Sequence, residues 1–361
     1  MPRCLTVPPH PTILILGPTA GGKTRLAIEL AKRLPGGGTC ICADSMQVYR
    51  GMDIGTAKPT PAEQAEAPHL LLDVADPWDD RFTVERWLQL ARAAVEQVRA
   101  SDGWPVLVGG TNLYVRAFVD GLFEGPEPDE GLRSELARMP IDALRRELER
   151  VDPVAARRIH PNDRRRAVRA VEVFRSTGQP ISALQTQWTG APGVAPAVAP
   201  GAAPGDAPRR DLRIIGLDYP IEVINRRINA RVKAMMAAGL LEEVQRLHEA
   251  GQLGRQAREA LGYKQLLAHL EGRWSLVEAV EQIKIRSRRY AKQQRTWLRR
   301  FRLLPGATFL AAGHEDTEVL VEKTLATILR PADAAEPREA ETPFCGRSTL
   351  PDGIRPPLAD T

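Results

Sequence analysis

Residues 17–24 read Gly17-Pro18-Thr19-Ala20-Gly21-Gly22-Lys23-Thr24, which fits the phosphate-loop pattern G-x-x-x-x-G-K-[ST] at every fixed position. The flanks agree with the motif. Ile13-Leu14-Ile15-Leu16 is a short apolar, β-branched run of the kind that forms a buried parallel strand. After the loop, Leu26, Ala27, Leu30, Ala31 and Leu34 recur at helical spacing. Strand, glycine loop and helix N-terminus together aim backbone N–H groups and the positive end of a helix dipole at an anion. In such a loop Lys23 reaches the terminal phosphates and the Thr24 hydroxyl helps hold Mg²⁺. The motif implies a bound polyphosphate or pyrophosphate. It leaves open which one, and what is done to it.

Outward from the loop, residues 12–118 alternate between strand and helix patterns. Candidate strands are 12–16, 39–43, 70–74 and 105–108, and a helix follows Thr83 with Val84, Trp87, Leu88, Ala91, Val95 and Val98 on one face. That order predicts an α/β fold, a P-loop NTPase-like parallel sheet flanked by helices. From about 120 to 188 the pattern is helical, arginine-rich and broken by Pro126, Pro128, Pro140 and Pro153. In the stretch 191–208, 15 of 18 residues are Ala, Pro or Gly, which cannot build a core and reads as a semi-rigid linker. A strand, Leu212–Leu217, and two helical stretches at about 221–250 and 276–302 follow; Ile224, Ile228, Val232, Met235 and Leu241 trace an apolar face in the first. The expected organisation is therefore a core from 1–119 and 211–330, a helical insertion at 120–190, a Pro/Ala-rich linker at 191–210 and a disordered tail at 331–361.

The chain has 361 residues, 43% of them hydrophobic, and no apolar run of membrane-span length. Its proline-rich N-terminus lacks an export signal pattern. Cys4, Cys40, Cys42 and Cys345 form no C-x-x-C pair. Reduced thiols in a cytoplasmic protein with no membrane partner are expected. The net charge is +5, unevenly spread. Arg157, Arg158, Arg164, Arg165, Arg166 and Arg169 crowd one stretch, and Lys284–Arg302 holds nine Lys/Arg and no acid, with Tyr290, Trp297 and Phe301 interleaved. Such runs are solvated helix faces or nucleic-acid surfaces.

Two strand ends carry candidate chemistry. Ala43-Asp44-Ser45-Met46-Gln47 follows the second candidate strand, at the edge where open α/β sheets bind ligands. Asp44 reads equally as a general base, a magnesium ligand or a helix N-cap. Val106-Leu107-Val108 ends in Gly109-Gly110-Thr111, where many phosphate-loop NTPases place a metal-binding Asp. Thr111 either bonds a ligand or caps the next helix. Leu70-Leu71-Leu72-Asp73 is the better run ending in Asp; its carboxylate either binds metal or is satisfied locally.

The ordered set GPTAGGKT, ADSMQVYRGMDIGTAKP (43–59), PHLLLDVADP (68–77), VGGTNLYVRA (108–117), IHPNDRRRAVRAVEVF (159–174) and ALGYKQ (260–265) resembles the bacterial tRNA dimethylallyltransferases, over residues of about 12 to 302. The resemblance implies transfer of a dimethylallyl group from dimethylallyl pyrophosphate to N6 of adenosine 37 in tRNA, with Mg²⁺ as cofactor, the anticodon stem-loop as partner and a monomeric enzyme. By residue-for-residue match it implies Asp44 as base, with Thr111 and Lys23 beside the reacting centre. Gly17 through Thr24 and Arg231 hold the donor; Arg227 shares the face of Arg231. The tRNA side comprises Asp44, Ser45, Met46, Gln47, Thr111, Arg133, the run Arg165, Arg166, Ala167, Val168 and Arg169, and then Gly262, Tyr263 and Lys264. Tyr263 reads equally as a stacking residue and as a core aromatic. The family commonly has Ser where Gly21 stands, and the long linker and the tail depart from its pattern. Rival readings are an adenylate isopentenyltransferase acting on free nucleotide, an ATP-using metabolite kinase, and a non-catalytic RNA-binding module.

Overall fold

Six strands, β1 (Thr12–Leu16), β2 (Gly38–Cys42), β3 (His69–Leu70), β4 (Trp104–Val108), β5 (Leu212–Asp218) and β6 (Ala307–Ala311), form one sheet in the order β3-β2-β4-β1-β5-β6. Every pairing is parallel. The computed structural model describes residues 10–123, 125–127, 129–185, 212–313 and 315–329. The linker expected at 191–210 and the tail expected at 331–361 lie outside these.

The expected α/β architecture follows from the apolar runs. Ile13, Leu14 and Ile15 are wholly buried, as are Val106 and Leu107 on one neighbour and Ile215 on the other. Strands covered on both faces need no alternation of polar and apolar residues. Two departures from the sequence reading have local causes. The strand expected over 70–74 ends at Leu70, because Leu71 and Asp73 take left-handed φ values of 64° and 54°, which break the pleat. The helical stretch expected over 221–250 divides into Ile221–Ala237 and Leu240–Glu249 at Gly239, whose φ is 98°. The edge strand β6 was not anticipated.

The apolar residues form two clusters. One joins the sheet to its helices, including the long Leu276–Phe301 helix. The other lies among the helices Glu130–Arg138, Ile141–Val151, Pro153–Arg158, Arg164–Thr177 and Ile181–Leu184, around Leu136, Leu144, Leu148 and Val171. Asp129, Asp152 and Asp163 cap three of these helices through their carboxylates.

Candidate active site

The strand order sets three C-terminal ends side by side: β2 leading into Asp44, β4 into Gly109-Gly110-Thr111, and β1 into the phosphate loop. The glycine pair has a steric cause. A Cβ on Gly109 would lie 2.1 Å from the Ala43 carbonyl oxygen, and one on Gly110 would lie 2.4 Å from Gln294 Nε2. No side chain, aspartate included, fits at either position without moving its neighbours.

Within the loop, the Gly21 N–H donates to the Pro18 carbonyl at 3.1 Å, and Lys23 Nζ donates to the same oxygen at 3.0 Å. The Thr19 N–H is held by Gln294 Oε1 at 2.7 Å. The Tyr219 hydroxyl donates to the Gly21 carbonyl at 2.9 Å. Arg227 lies over the Tyr219 ring, 4.9 Å from its centroid. One turn further along the same helix, Arg231 Nη1 reaches Thr19 Oγ1 at 3.5 Å. Burial lowers the Lys23 pKa to about 8, with repulsion from Arg231 adding to the effect and Asp44 opposing it. Two cations crowded in this way make a site that gains from a bound anion.

Asp44 does not cap a helix. Its Oδ1 accepts the Met46 N–H at 2.9 Å in a local turn, and Oδ2 has no hydrogen-bond partner among the described residues. Thr111 occupies the N-cap position of the Asn112–Asp120 helix but makes no cap bond. Its hydroxyl instead accepts the Ser45 N–H at 2.9 Å and donates to Ser45 Oγ at 3.2 Å. The two strand ends are thereby tied together. Cys42 is buried, and burial followed by the charge of Asp44 pushes its thiol up, so it offers no nucleophile here.

The sequence reading missed the residues that join the halves. Gln294 is 2% exposed and donates to the Gly110 carbonyl at 2.9 Å while holding Thr19. The Tyr290 hydroxyl donates to the same carbonyl at 3.1 Å. Asp73 accepts from the buried Lys58 ammonium at 2.6 Å, which answers its charge locally.

A family model described as IPP transferase matches residues 47–301. The chain is 45% identical over 291 residues to the tRNA dimethylallyltransferase of Geobacillus kaustophilus, covering 79% of this chain and 86% of that one. The chain belongs to the IPP transferase family. Among solved structures, the tRNA isopentenylpyrophosphate transferase of Bacillus halodurans is 36% identical with a TM-score of 0.61, over 88% of this chain and 97% of that one. A eukaryotic dimethylallyltransferase acting on tRNA is 25% identical with a TM-score of 0.67, over 84% and 74%.

Several residues expected on the tRNA side have other work in the fold. Ala167 and Val168 are 2% and 9% exposed, packed in the second apolar cluster. Arg133 and Arg169 both pair with the fully buried Glu172, at 2.9 Å each, so much of their charge is answered within the protein. Tyr263 is wholly buried and donates its hydroxyl to Glu243; the ring has no face for a base. Gly262 is also buried, while Lys264 is exposed and paired with Glu259 at 2.6 Å. Arg165 and Arg166 are exposed. In the second basic run Arg286, Arg289, Lys292, Arg299 and Arg300 are exposed, and Trp297 lies between Arg116 and Arg300, at 5.5 and 5.2 Å.

Proposed function

We propose that this IPP transferase family member moves a dimethylallyl group from dimethylallyl pyrophosphate to N6 of adenosine 37 in the anticodon loop of tRNA. The observation that carries this reading is the pairing of an open carboxylate with a cationic phosphate loop across a side-chain-free strand end. The allylic C–O bond breaks and its electron pair leaves with pyrophosphate. The new C–N bond forms to N6, and the N6 proton passes to Asp44. Lys23, Arg231 and the loop N–H groups receive the charge that develops on the leaving group. Ser45, Met46 and Gln47 form the wall beside Asp44, against which the unstacked adenine rests.

The donor set fits Mg²⁺ in the mode that relies on phosphate oxygens and water. No group of three His, Cys, Asp or Glu among the described residues forms a cage for a metal, and Thr24 at the first turn of the loop helix is the residue that would hold the ion. Bound there, Mg²⁺ supplies further neutralisation of the departing pyrophosphate. No described helix is long and apolar enough to cross a membrane.

The test incubates the protein with labelled dimethylallyl pyrophosphate, Mg²⁺ and either unmodified tRNA or AMP. Label is expected on tRNA and on an isolated anticodon stem-loop, and not on a stem-loop carrying guanosine at position 37. Preferential label on AMP would replace this reading with the free-nucleotide one.

The exposed arginines give a second expected result. Replacing Arg165 and Arg166 together by alanine should weaken tRNA binding and flatten its salt dependence, by about 0.7 log unit per log unit of salt for each lost single-strand phosphate contact. Donor binding should be unchanged. Adding Arg169→Ala should instead lower thermal stability, because it strips a partner from buried Glu172. A salt slope unmoved in the Arg165/Arg166 double variant would take this helix off the RNA path.

A further inference from the structure

Two of the motifs quoted above, DIGTAKP and ALGYKQ, carry no chemistry in the proposed reaction, yet they meet in one place. Glu243, 6% exposed on the Leu240–Glu249 helix, accepts the N–H groups of Asp53, Ile54 and Gly55 at 3.0, 2.8 and 3.0 Å. Its fourth donor is the Tyr263 hydroxyl. A carboxylate with this many donors is well satisfied while buried. Tyr263 also shapes the turn. A Cβ on Gly55 would lie 2.4 Å from Tyr263 Cε2, so the turn closes onto the ring only where the side chain is missing. From the other side, Lys58 Nζ binds the Asp53 carboxylate at 2.6 Å and the Tyr49 carbonyl at 2.7 Å.

The turn held in this way supports Gln47. Gln47 Nε2 donates to the Thr56 carbonyl at 3.1 Å and to the Ala57 carbonyl at 3.0 Å. Both amide hydrogens are therefore committed to the turn, which sets the plane of the side chain. Oε1 is turned to the Cys42 side, with the thiol 3.5 Å away. Gln47 stands three residues beyond Asp44 in the same loop.

We propose that Glu243, with Tyr263, is a positioning residue for the acceptor base: it sets the 53–57 turn, and through that turn the Gln47 side chain in the wall beside Asp44. This rests on the reading of residues 44–47 as the acceptor wall. Glu243 touches no reacting atom. It acts through two sets of hydrogen bonds, and the donor loop shares none of them.

The experiment is a mutant cycle read by steady-state kinetics. Glu243→Gln replaces one acceptor oxygen with an amino group that faces N–H donors. It is expected to raise the KM for tRNA about tenfold, the scale of a lost charge-assisted hydrogen bond, with the KM for dimethylallyl pyrophosphate unchanged. Gln47→Ala should raise the tRNA KM by a similar factor in the wild-type background and add little in the Glu243→Gln background. Tyr263→Phe should move the same parameter in the same direction by less. A tRNA KM unmoved by Glu243→Gln would overturn the proposal. So would full additivity with Gln47→Ala, or donor and tRNA KM rising together with a falling thermal midpoint, the mark of a general loss of structure. If Glu243→Gln does not fold, the same cycle run with Tyr263→Phe decides the matter by the same criteria. Failure of the wild-type protein to label tRNA is a separate outcome, which would remove the acceptor assignment itself.

Discussion

Asp44→Asn is expected to keep donor and tRNA binding while lowering the single-turnover rate of transfer by roughly 10²–10⁴-fold, the usual size of a general-base contribution. The substitution is conservative for the fold. Asparagine keeps an oxygen for the Met46 N–H that Asp44 Oδ1 now accepts, so the turn after β2 survives. What is lost is the second oxygen, whose place is taken by an amino group unable to receive a proton. The variant has a second expected signature. Among the described residues, Asp44 is the group that raises the Lys23 pKa against burial and Arg231. Its neutralisation should therefore lower that pKa further and move the alkaline limb of donor use to lower pH. A near-normal single-turnover rate would remove Asp44 from proton transfer. A slow variant with an unmoved limb would keep its role as base and deny its electrostatic link to the donor loop.

The parts legible in the sequence are those where one residue type has one physical use. The apolar strands beside the phosphate loop are buried on both faces, and their burial needs no tertiary information to predict. Leu70-Leu71-Leu72 misled because an apolar run also fits a tight turn when neighbouring elements cover it; the left-handed Leu71 and Asp73 leave no mark in composition. The arginine stretch divides in a way that composition does not show. Arg165 and Arg166 face outward, whereas Arg169 turns in to Glu172, and charge counting does not separate them.

The structural polar residues missed at the site share one readable signal. Glu243 falls on the face of Leu240, Val244 and Leu247, and Gln294 falls on the face of Ala291, Leu298 and Phe301. Glu172 likewise lies beside Val168 and Val171. A polar group at a core position of an amphipathic helix must find partners. Here most of the partners are distant in sequence: the 53–55 N–H groups and the Tyr263 hydroxyl for Glu243, Thr19 and Gly110 for Gln294, and Arg133 for Glu172, which also takes Arg169 one turn away. The signal marks such residues as important, but only the fold shows what they hold. For Gln294 that is the junction between Thr19 of the phosphate loop and Gly110 at the end of β4.

Lys23→Ala is expected to lower kcat/KM for dimethylallyl pyrophosphate by roughly 10²–10³-fold, the scale for removing one preorganised charge-stabilising donor, with tRNA affinity unchanged in a gel-shift assay. The pH dependence separates loss of charge from loss of shape. Burial first, and then Arg231, lower the Lys23 pKa to about 8. The protonated form is the one that attracts pyrophosphate, so kcat/KM for the donor should fall as pH rises through this value. Bound pyrophosphate supplies the missing anion and favours the ammonium. Donor binding above pH 8 should therefore take up a proton, measurable as a buffer-dependent heat of binding. Lys23→Ala removes the titrating group and should abolish both the limb and the proton uptake. Lys23→Arg keeps a cation that does not titrate in this range; it should abolish the limb even if its bulk lowers the rate. Persistence of the limb in either variant would assign it to another group. An equal loss of tRNA affinity in Lys23→Ala would contradict the division of the site into a donor loop and an acceptor wall.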